Sequence, residues 1–435
     1  MSLIDPSALA AAWQTLADTS PPRLSPERLQ AFIRPYFDRR EVYLKILEKH
    51  PPPLYLQESE VLRVRAARMQ KAFEGQLPDA QFYFAVKSNN HPHVARIMID
   101  AGFGLDVSSG LELEMALALG ARDIVFSGPG KTTDELRLAV AHSDRVTVLM
   151  DSFGELERLG VLTATAPTVL HGGVRLTVDP QGLWRKFGIP LERLSAFLEA
   201  AGAYPNLKVA GLQFHTSWNL SPEAQIRFMT ALGRTLSGLP SALRRPIEFI
   251  DIGGGYWPED GEWLQAAGTP EGKLREALGD FAGPIDAHYH WPSMSIEGFA
   301  EALSAAIHQH LLSVVDCRIC LEPGRWICHP AVQLLLTVVD KKAPDLVITD
   351  AGTNAVGWER FETDYFPVLN LSRPSLVERP CYILGSLCTP HDVWGYGYFG
   401  EDIQPGDILM IPAQGAYTYS LRQTFIKPLP EVHMI

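Results

Sequence analysis

Lys87 closes the apolar run Phe82-Tyr-Phe-Ala-Val, a setting in which a lysine can do covalent chemistry. An ammonium at the end of an apolar strand is poorly solvated, and desolvation favours the neutral amine that attacks a carbonyl. One such lysine is also what a snorkelling surface residue looks like, so its companions decide. Glu322-Pro-Gly-Arg325 sets a carboxylate and a guanidinium three residues apart. The pair could hold two poles of one ligand, a protonated ring nitrogen and a phosphate. His215, ending Gly211-Leu-Gln-Phe-His215, offers a flat ring for stacking. Gly253, Gly254 and Gly255 follow a strand-like run, and consecutive glycines let backbone N–H groups approach an anion closely. Each feature alone reads as a satisfied polar residue or a tight turn. Jointly they describe a pyridoxal phosphate site.

Other combinations fall short. Cys317 and Cys320 form a CxxC with no second pair or histidine cluster to complete a zinc site, so buried apolar thiols are expected and no metal is. His288 and His290 lack a carboxylate at a telling spacing and read as a surface loop. The run Gly128-Pro-Gly-Lys-Thr-Thr133 has Val125 where a phosphate loop needs its first glycine. After Gly253 and Gly255, a dinucleotide fingerprint would need glycine at Pro258.

Short β-rich runs alternate with amphipathic stretches along the chain. Phe82–Val86, Gly104–Val107, Asp123–Phe126, Arg145–Leu149, Thr168–Val178, Lys208–His215, Glu248–Ile252 and Arg318–Glu322 read as strands. Helical stretches lie between them, as at His93–Ala101 and Thr133–Ala141. About eight such units predict an α/β fold with a closed (β/α)8 TIM-type barrel. The runs end in Lys87, Asp106, Ser127, Arg175, His215, Gly253 and Glu322, at the rim where barrel active sites collect. Beyond about residue 330 the helices thin out. Val332–Val339, Leu346–Thr349, Pro380–Leu384 and Asp407–Ile411 predict a C-terminal all-β domain. The proline run Pro51–Pro53 marks a further boundary. The predicted domains are 1–54, packing with the β domain, 55–328, the barrel, and 329–435, the β domain.

Composition excludes several classes. The chain of 435 residues is 46% hydrophobic, enough for a sizeable core. Its 38 basic and 50 acidic residues give a net charge of −12, which argues against a nucleic-acid partner. Five cysteines are too few and odd for a disulfide framework and favour a reducing compartment. The first twenty residues show no basic leader or long apolar stretch, and no run suits a membrane span. A cytoplasmic protein is expected.

The ordered motifs resemble those of the fold type III pyridoxal phosphate decarboxylases, which include ornithine, arginine and diaminopimelate decarboxylases, from about residue 55 to the C-terminus. They are Phe84-Ala-Val-Lys87-Ser-Asn, Gly104-Leu-Asp106-Val-Ser-Ser-Gly-Leu-Glu112, Phe126-Ser-Gly-Pro-Gly-Lys131-Thr, Lys186-Phe-Gly-Ile, His215 and Asp251-Ile-Gly-Gly-Gly255. Glu322-Pro-Gly-Arg325, Leu387-Cys388-Thr-Pro-His-Asp392 and Gly415-Ala-Tyr417 complete the set. The resemblance implies an alanine-racemase-like barrel with a β domain, a lyase working as a homodimer, and pyridoxal 5'-phosphate carried on Lys87. It implies His215 stacked on the ring, Glu322 at the pyridine nitrogen, and Gly253, Gly254, Gly255, Arg325 and Tyr417 around the phosphate. It also implies Asp106 and Ser217 near the cofactor, and Thr389, Asp392 and Tyr417 near the substrate. Cys388 would enter from a partner subunit as the catalytic acid. A carboxylate such as Glu322 keeps the ring nitrogen protonated, which suits loss of CO2. Racemases of this fold typically face that nitrogen with arginine.

Two departures bear on the reading. Trp218 stands where the family commonly has a phosphate-binding serine, with Ser217 one position earlier. Thr389 follows Cys388 where enzymes for basic amino acids and diaminopimelate carry an acid. Either another acid serves, with Glu362 and Asp364 as candidates, or the substrate has no free distal amine. The run Leu-Cys-Thr-Pro-x-Asp resembles decarboxylases of conjugated amino acids, including those of carboxylate-siderophore biosynthesis. The alternatives are a decarboxylase of free ornithine, lysine, arginine or diaminopimelate, and an inactive regulatory homologue.

Overall fold

The computed structural model describes residues 6–179, 181–279, 287–357 and 361–435. Contacts divide the chain into one unit of Ser59–Glu259 with Met294–Cys328, and another of Met1–Glu58, Asp260–Ser293 and His329–Ile435.

The first unit is a barrel. Its strands are Gln81–Ala85, Gly104–Val107, Ile124–Phe126, Val146–Met150, Leu170–Leu176, Leu207–Phe214, Phe249–Gly254 and Arg318–Glu322. All pair in parallel, and the last closes on the first. Several strands are buried along their whole length, as expected where helices cover the outside and side chains fill the inside. The helices start at signals visible in the sequence. Ser109, Thr132 and Ser152 each cap a helix by accepting the N–H three residues on, and Thr132 with Glu135 forms a capping box.

Tyr83, Val125, Leu149, Phe249 and Cys320 form a buried cluster inside the barrel. Gly211 makes it possible, since a Cβ there would lie 1.9 Å from the Phe249 ring. With the interior plugged by these rings, the polar residues at the strand ends face a closed floor. Burial pushes the Cys317 thiol up to about 12, with Asp316 adding to the effect. Cys320 is pushed up by burial as well. These are apolar, unreactive thiols.

The second unit is an eight-stranded sheet. Its order is Leu346–Thr349, Glu378–Leu384, Val393–Phe399, Leu369–Asn370, Ile408–Ile411, Val332–Ala343, Leu54–Gln57 and Glu431–Met434. Period-two alternation splits the long strand between two cores. Leu334, Leu336 and Val338 face Trp394 and Ile383 on one side, while Leu335 faces Leu29, Ile33 and Tyr43 on the other. The helices Pro26–Asp38 and Arg40–Leu47 thus cover one face of the sheet. Ser25 caps the first of them and Pro26 opens it.

The structure departs from the sequence reading in two places. His288 and His290 do not lie in a surface loop: Tyr289–Trp291 is a strand paired with Glu262–Leu264. His288 stacks on Tyr365 at 3.5 Å and bonds Glu378 at 2.8 Å, so burial against an aromatic ring accounts for it. Segment 260–293, which the sequence reading leaves inside the barrel, groups with the sheet, and Trp263 there accepts the Tyr365 N–H.

Candidate active site

The barrel strands deliver their polar ends to one network. Lys87, in the short 3-10 turn Val86–Ser88 after the first strand, donates to Asp106 Oδ2 at 2.6 Å. Asp106, one residue before the end of the neighbouring strand, is fully buried. Its other oxygen accepts the Ser127 hydroxyl at 2.5 Å. Burial, then the Glu322 charge, push the Asp106 carboxyl up against the opposing pull of Lys87. Lysine is therefore held at a fixed point while keeping 34% of its side chain open to solvent, as a nucleophile requires.

Glu322 ends the last strand and is 2% exposed. It accepts the Gln213 amide at 3.3 Å and 3.4 Å. Its carboxyl is held below its ordinary range, with burial opposing this and the Lys87 and Arg175 charges favouring it. His215 is pulled down by its burial and stays neutral at neutral pH. Its Nδ1 lies 3.2 Å from the Gly254 N–H and 3.5 Å from Glu322 Oε2. One nitrogen cannot accept from the first and donate to the second. The shorter backbone bond makes Nδ1 an acceptor, so Glu322 is its electrostatic neighbour.

The glycine turn is built against this histidine. Gly253 and Gly255 have φ of 69° and 80°, which side chains rarely adopt. A Cβ on Gly254 would meet Glu322 O at 2.0 Å. Asn219 ties the turn in place, accepting the Trp257 N–H through its carbonyl oxygen at 3.1 Å and donating its side-chain amide to Gly254 O at 2.9 Å. Trp218 also has a left-handed φ of 56° and is 53% exposed. Its ring lies 5.3 Å from Trp257. The Arg325 guanidinium sits 4.4 Å from the Trp257 ring and 5.6 Å from that of Trp218, within cation–π range. Arg175 lies over Phe187 at 4.5 Å.

Residues at these strand ends fit pyridoxal phosphate. The donor set has an amine, an anion for a protonated ring nitrogen, a flat neutral ring, and a guanidinium with a glycine turn for phosphate. The backbone of that turn has no room for side chains. Gln213, Asp251, Asn219 and Trp257 belong to the same cluster and went unnoticed as site residues in the sequence. Gln213 and Asp251 stand two positions before His215 and Gly253, so strand parity places them on the same interior face. A cavity of about 780 Å³ lined by Lys71, Glu74, Gln81 and Arg318 opens at the opposite ends of the strands and belongs to a different surface.

In the sheet unit, Cys388 and Thr389 are exposed on the loop before Val393–Phe399. Asp392 is buried. It accepts the Leu387 N–H at 2.7 Å, and the Thr353 N–H and hydroxyl at 2.7 Å and 3.0 Å. Its carboxylate is thus committed to the loop backbone. Glu362 bonds His391 at 2.9 Å, two residues beyond Thr389. Asp364 accepts the Thr363 hydroxyl at 3.1 Å. Tyr417 is partly buried with a φ of 60°.

A closed parallel barrel with a lysine, a buried acid and an anion turn at its strand ends, followed by a β sheet, defines a pyridoxal-dependent enzyme class. The chain belongs to the pyridoxal-dependent decarboxylases: their pyridoxal binding domain matches residues 62–329 and their C-terminal sheet domain residues 314–415. It is a carboxy-lyase acting on an amino acid. It is 27% identical to a diaminopimelate decarboxylase of Aquifex aeolicus, over 85% of this chain and 83% of that one. It is 25% identical to the L-glutamyl-[BtrI acyl-carrier protein] decarboxylase of Niallia circulans, over 86% of each. It is 24% identical to the 2-[(L-alanin-3-ylcarbamoyl)methyl]-2-hydroxybutanedioate decarboxylase of Staphylococcus aureus, over 79% and 84%. The diaminopimelate decarboxylase structure from M. jannaschi shares the fold, with a TM-score of 0.73 at 23% identity over 90% of this chain and 88% of that one. Among the described residues, no helix is long and apolar enough to cross a membrane.

Proposed function

We propose that this enzyme removes the α-carboxyl group from an amino acid whose side chain is already tied in an amide or acyl conjugate, of the kind found in carboxylate siderophores. We further propose that it works as a homodimer, each subunit lending Cys388 to the other's barrel. The observation that carries the substrate reading is Thr389. A neutral hydroxyl follows Cys388 where a substrate ammonium would need a carboxylate. A buried ammonium left without its partner costs roughly 3–5 kcal/mol. The names of two relatives support this, since both describe amino acids bonded to something else: a carrier protein in one case, a hydroxybutanedioate through a carbamoyl group in the other.

Bound pyridoxal phosphate supplies a sink for the electron pair left at Cα when CO2 departs. Lys87 would hold the cofactor, and Asp106 fixes the Lys87 amine. Glu322, ionised, would retain the proton on the ring nitrogen. His215, neutral, would offer its ring to the cofactor without adding charge. Gly253, Gly254, Gly255, Arg325 and Tyr417 would take the phosphate, together with Ser217. As the Cα–carboxyl bond breaks, CO2 leaves its electron pair at Cα, and the Cys388 thiol delivers a proton there before recovering one from water.

A second reading, decarboxylation of a free diamino acid, has one observation in its favour: Glu362 lies against the Cys388 loop through His391. CO2 release from free ornithine, lysine and diaminopimelate against citryl and acyl conjugates separates the two. The conjugate should be preferred, and Thr389→Asp should raise kcat/KM for free diamines relative to it. Equal wild-type efficiency on free diamines, lost on Glu362→Gln, would establish the second reading instead.

A further inference from the structure

Asp251 is fully buried inside the barrel and has no part in the chemistry above. It lies two residues before Gly253 on the strand Phe249–Gly254, so both positions face the interior. Its Oδ1 accepts the Gly253 N–H at 2.8 Å. Its Oδ2 is enclosed and meets no N–H or hydroxyl donor. On the adjoining strand Cys320 pairs with Asp251, and a register shift then sets Glu322 opposite Gly254. Asp251 and Glu322 thus stand on adjoining strands, both buried inside the barrel.

Two ionised carboxylates are acceptors only and cannot bond each other, and inside a protein they repel strongly. The repulsion is relieved when one member of such a buried pair carries a proton. Glu322 has the Gln213 amide, with Lys87 and Arg175 nearby. The largest charge effects on Asp251 come from Glu322 and Asp106, both acidic, and it acts in turn on Cys320 and Tyr256.

We propose that Asp251 is a neutral carboxylic acid that donates its proton's hydrogen bond to Glu322 while its other oxygen holds the Gly253 N–H. It is a positioning residue: one side chain couples the acid at the cofactor ring nitrogen to the turn at its phosphate. Burial, reinforced by the Glu322 and Asp106 charges, pushes the Asp251 carboxyl well above its ordinary range, in keeping with that state. The role rests on assigning Glu322 and Gly253–Gly255 to the cofactor.

Two isosteric changes in the holoenzyme locate the proton. Asp251→Asn presents an amide N–H to Glu322 and a carbonyl to Gly253, and should leave cofactor dissociation and kcat/KM within about 3-fold of wild type, because both hydrogen bonds are replaced. Glu322→Gln should lower kcat by roughly 10²–10³-fold, the scale of losing one preorganised charge. The reverse pattern, Gln tolerated at 322 and Asn not at 251, would put the proton on Glu322 and overturn the proposal. Infrared spectra of the wild-type holoenzyme at neutral pH should show a protonated carboxylic acid band that shifts in D2O and disappears in Asp251→Asn. Its absence from the wild type overturns the proposal without relying on any variant's folding. Asp251→Leu should raise the cofactor dissociation constant about 10-fold or more through loss of both bonds. An unchanged constant there overturns the positioning role. An unchanged constant in Glu322→Gln as well would overturn the cofactor assignment beneath it.

Discussion

The barrel rim and the Cys388 loop hold their functional residues by opposite means. At the rim the side chains themselves are fixed. Asp106, Gln213, Asp251 and Glu322 are all at most 2% exposed, and they orient one another through hydrogen bonds and charge. In the loop the functional side chains are exposed, and the buried carboxylate of Asp392 clamps the backbone that carries them. A buried polar network is costly to alter, because any unpaired member loses its full hydration. An exposed side chain on a clamped backbone can change with little structural cost. The contrast matches the proposed division of labour: the cofactor needs one geometry for every substrate, whereas the loop selects among substrates.

The division is broken most forcefully by removing one group from each side. Lys87→Ala should abolish turnover, a loss on the order of 10³-fold or more, and borohydride reduction should attach no cofactor to the peptide spanning residue 87. Cys388→Ala should retain the lysine-linked cofactor and slow turnover roughly 10²–10⁴-fold. If Cys388 is the acid at Cα, turnover of this variant should also yield pyridoxamine phosphate and a carbonyl product. Mixing the two inactive variants should restore part of the activity, since a hybrid dimer has one wholly wild-type site. No recovery after demonstrated subunit exchange would place both residues in one subunit's site.

How legible these two regions were in the sequence follows from the same contrast. Barrel strands and their terminal residues stood out because period and chemistry coincide: most of the strands are apolar runs with a polar residue at or just after the end, and Ser109, Thr132 and Ser152 announce the helices that follow. Gln213 and Asp251 were readable by parity but carry no motif of their own. The pairing of Trp218 and Trp257 depends on Asn219 bonding across to the glycine turn, which no local pattern reveals. In the sheet unit, Leu369–Asn370 is too short to show alternation. The pairing of Glu262–Leu264 with Tyr289–Trp291 joins segments too distant for a turn signal. The motif suggested Asp392 for the substrate. Its burial arises from Gly352 and Gly385, where any Cβ would strike the Asp392 carboxylate at 2.8 Å and 2.2 Å, a tertiary fact.

A smaller effect tests whether the loop acts through its backbone. Asp392→Asn puts an amide NH2 against either the Leu387 N–H or the Thr353 N–H and leaves a buried donor unsatisfied, which costs roughly 1–3 kcal/mol. Cys388 and Thr389 should shift, and kcat/KM should fall about 10–100-fold, since displacements near 1 Å have that scale of effect. The cofactor dissociation constant should stay at the wild-type value. A rise in KM alone, with kcat intact, would instead give Asp392 direct contact with substrate.

The smallest effect concerns the phosphate end of the rim, where the chain has a tryptophan in place of the family's usual serine. Trp257 is 8% exposed and faces Arg325 at 4.4 Å, so its attraction for the guanidinium is little screened by water. Trp218 is more distant at 5.6 Å and half in solvent. Cation–π contacts contribute roughly 0.5 kcal/mol when exposed and 2 kcal/mol or more when desolvated. If Trp257 orients Arg325 for the phosphate, Trp257→Leu should raise the cofactor dissociation constant about 2–30-fold, and Trp257→Phe should recover most of the loss. Trp218→Leu should cost less than Trp257→Leu, because its ring is farther away and hydrated. Measured by the fluorescence change on cofactor release, equal effects at the two positions would show that both rings act merely as a cover over the turn. A larger effect at Trp218 would transfer the orienting role to the exposed ring and remove the phosphate end from the rule that buried groups set the cofactor's geometry.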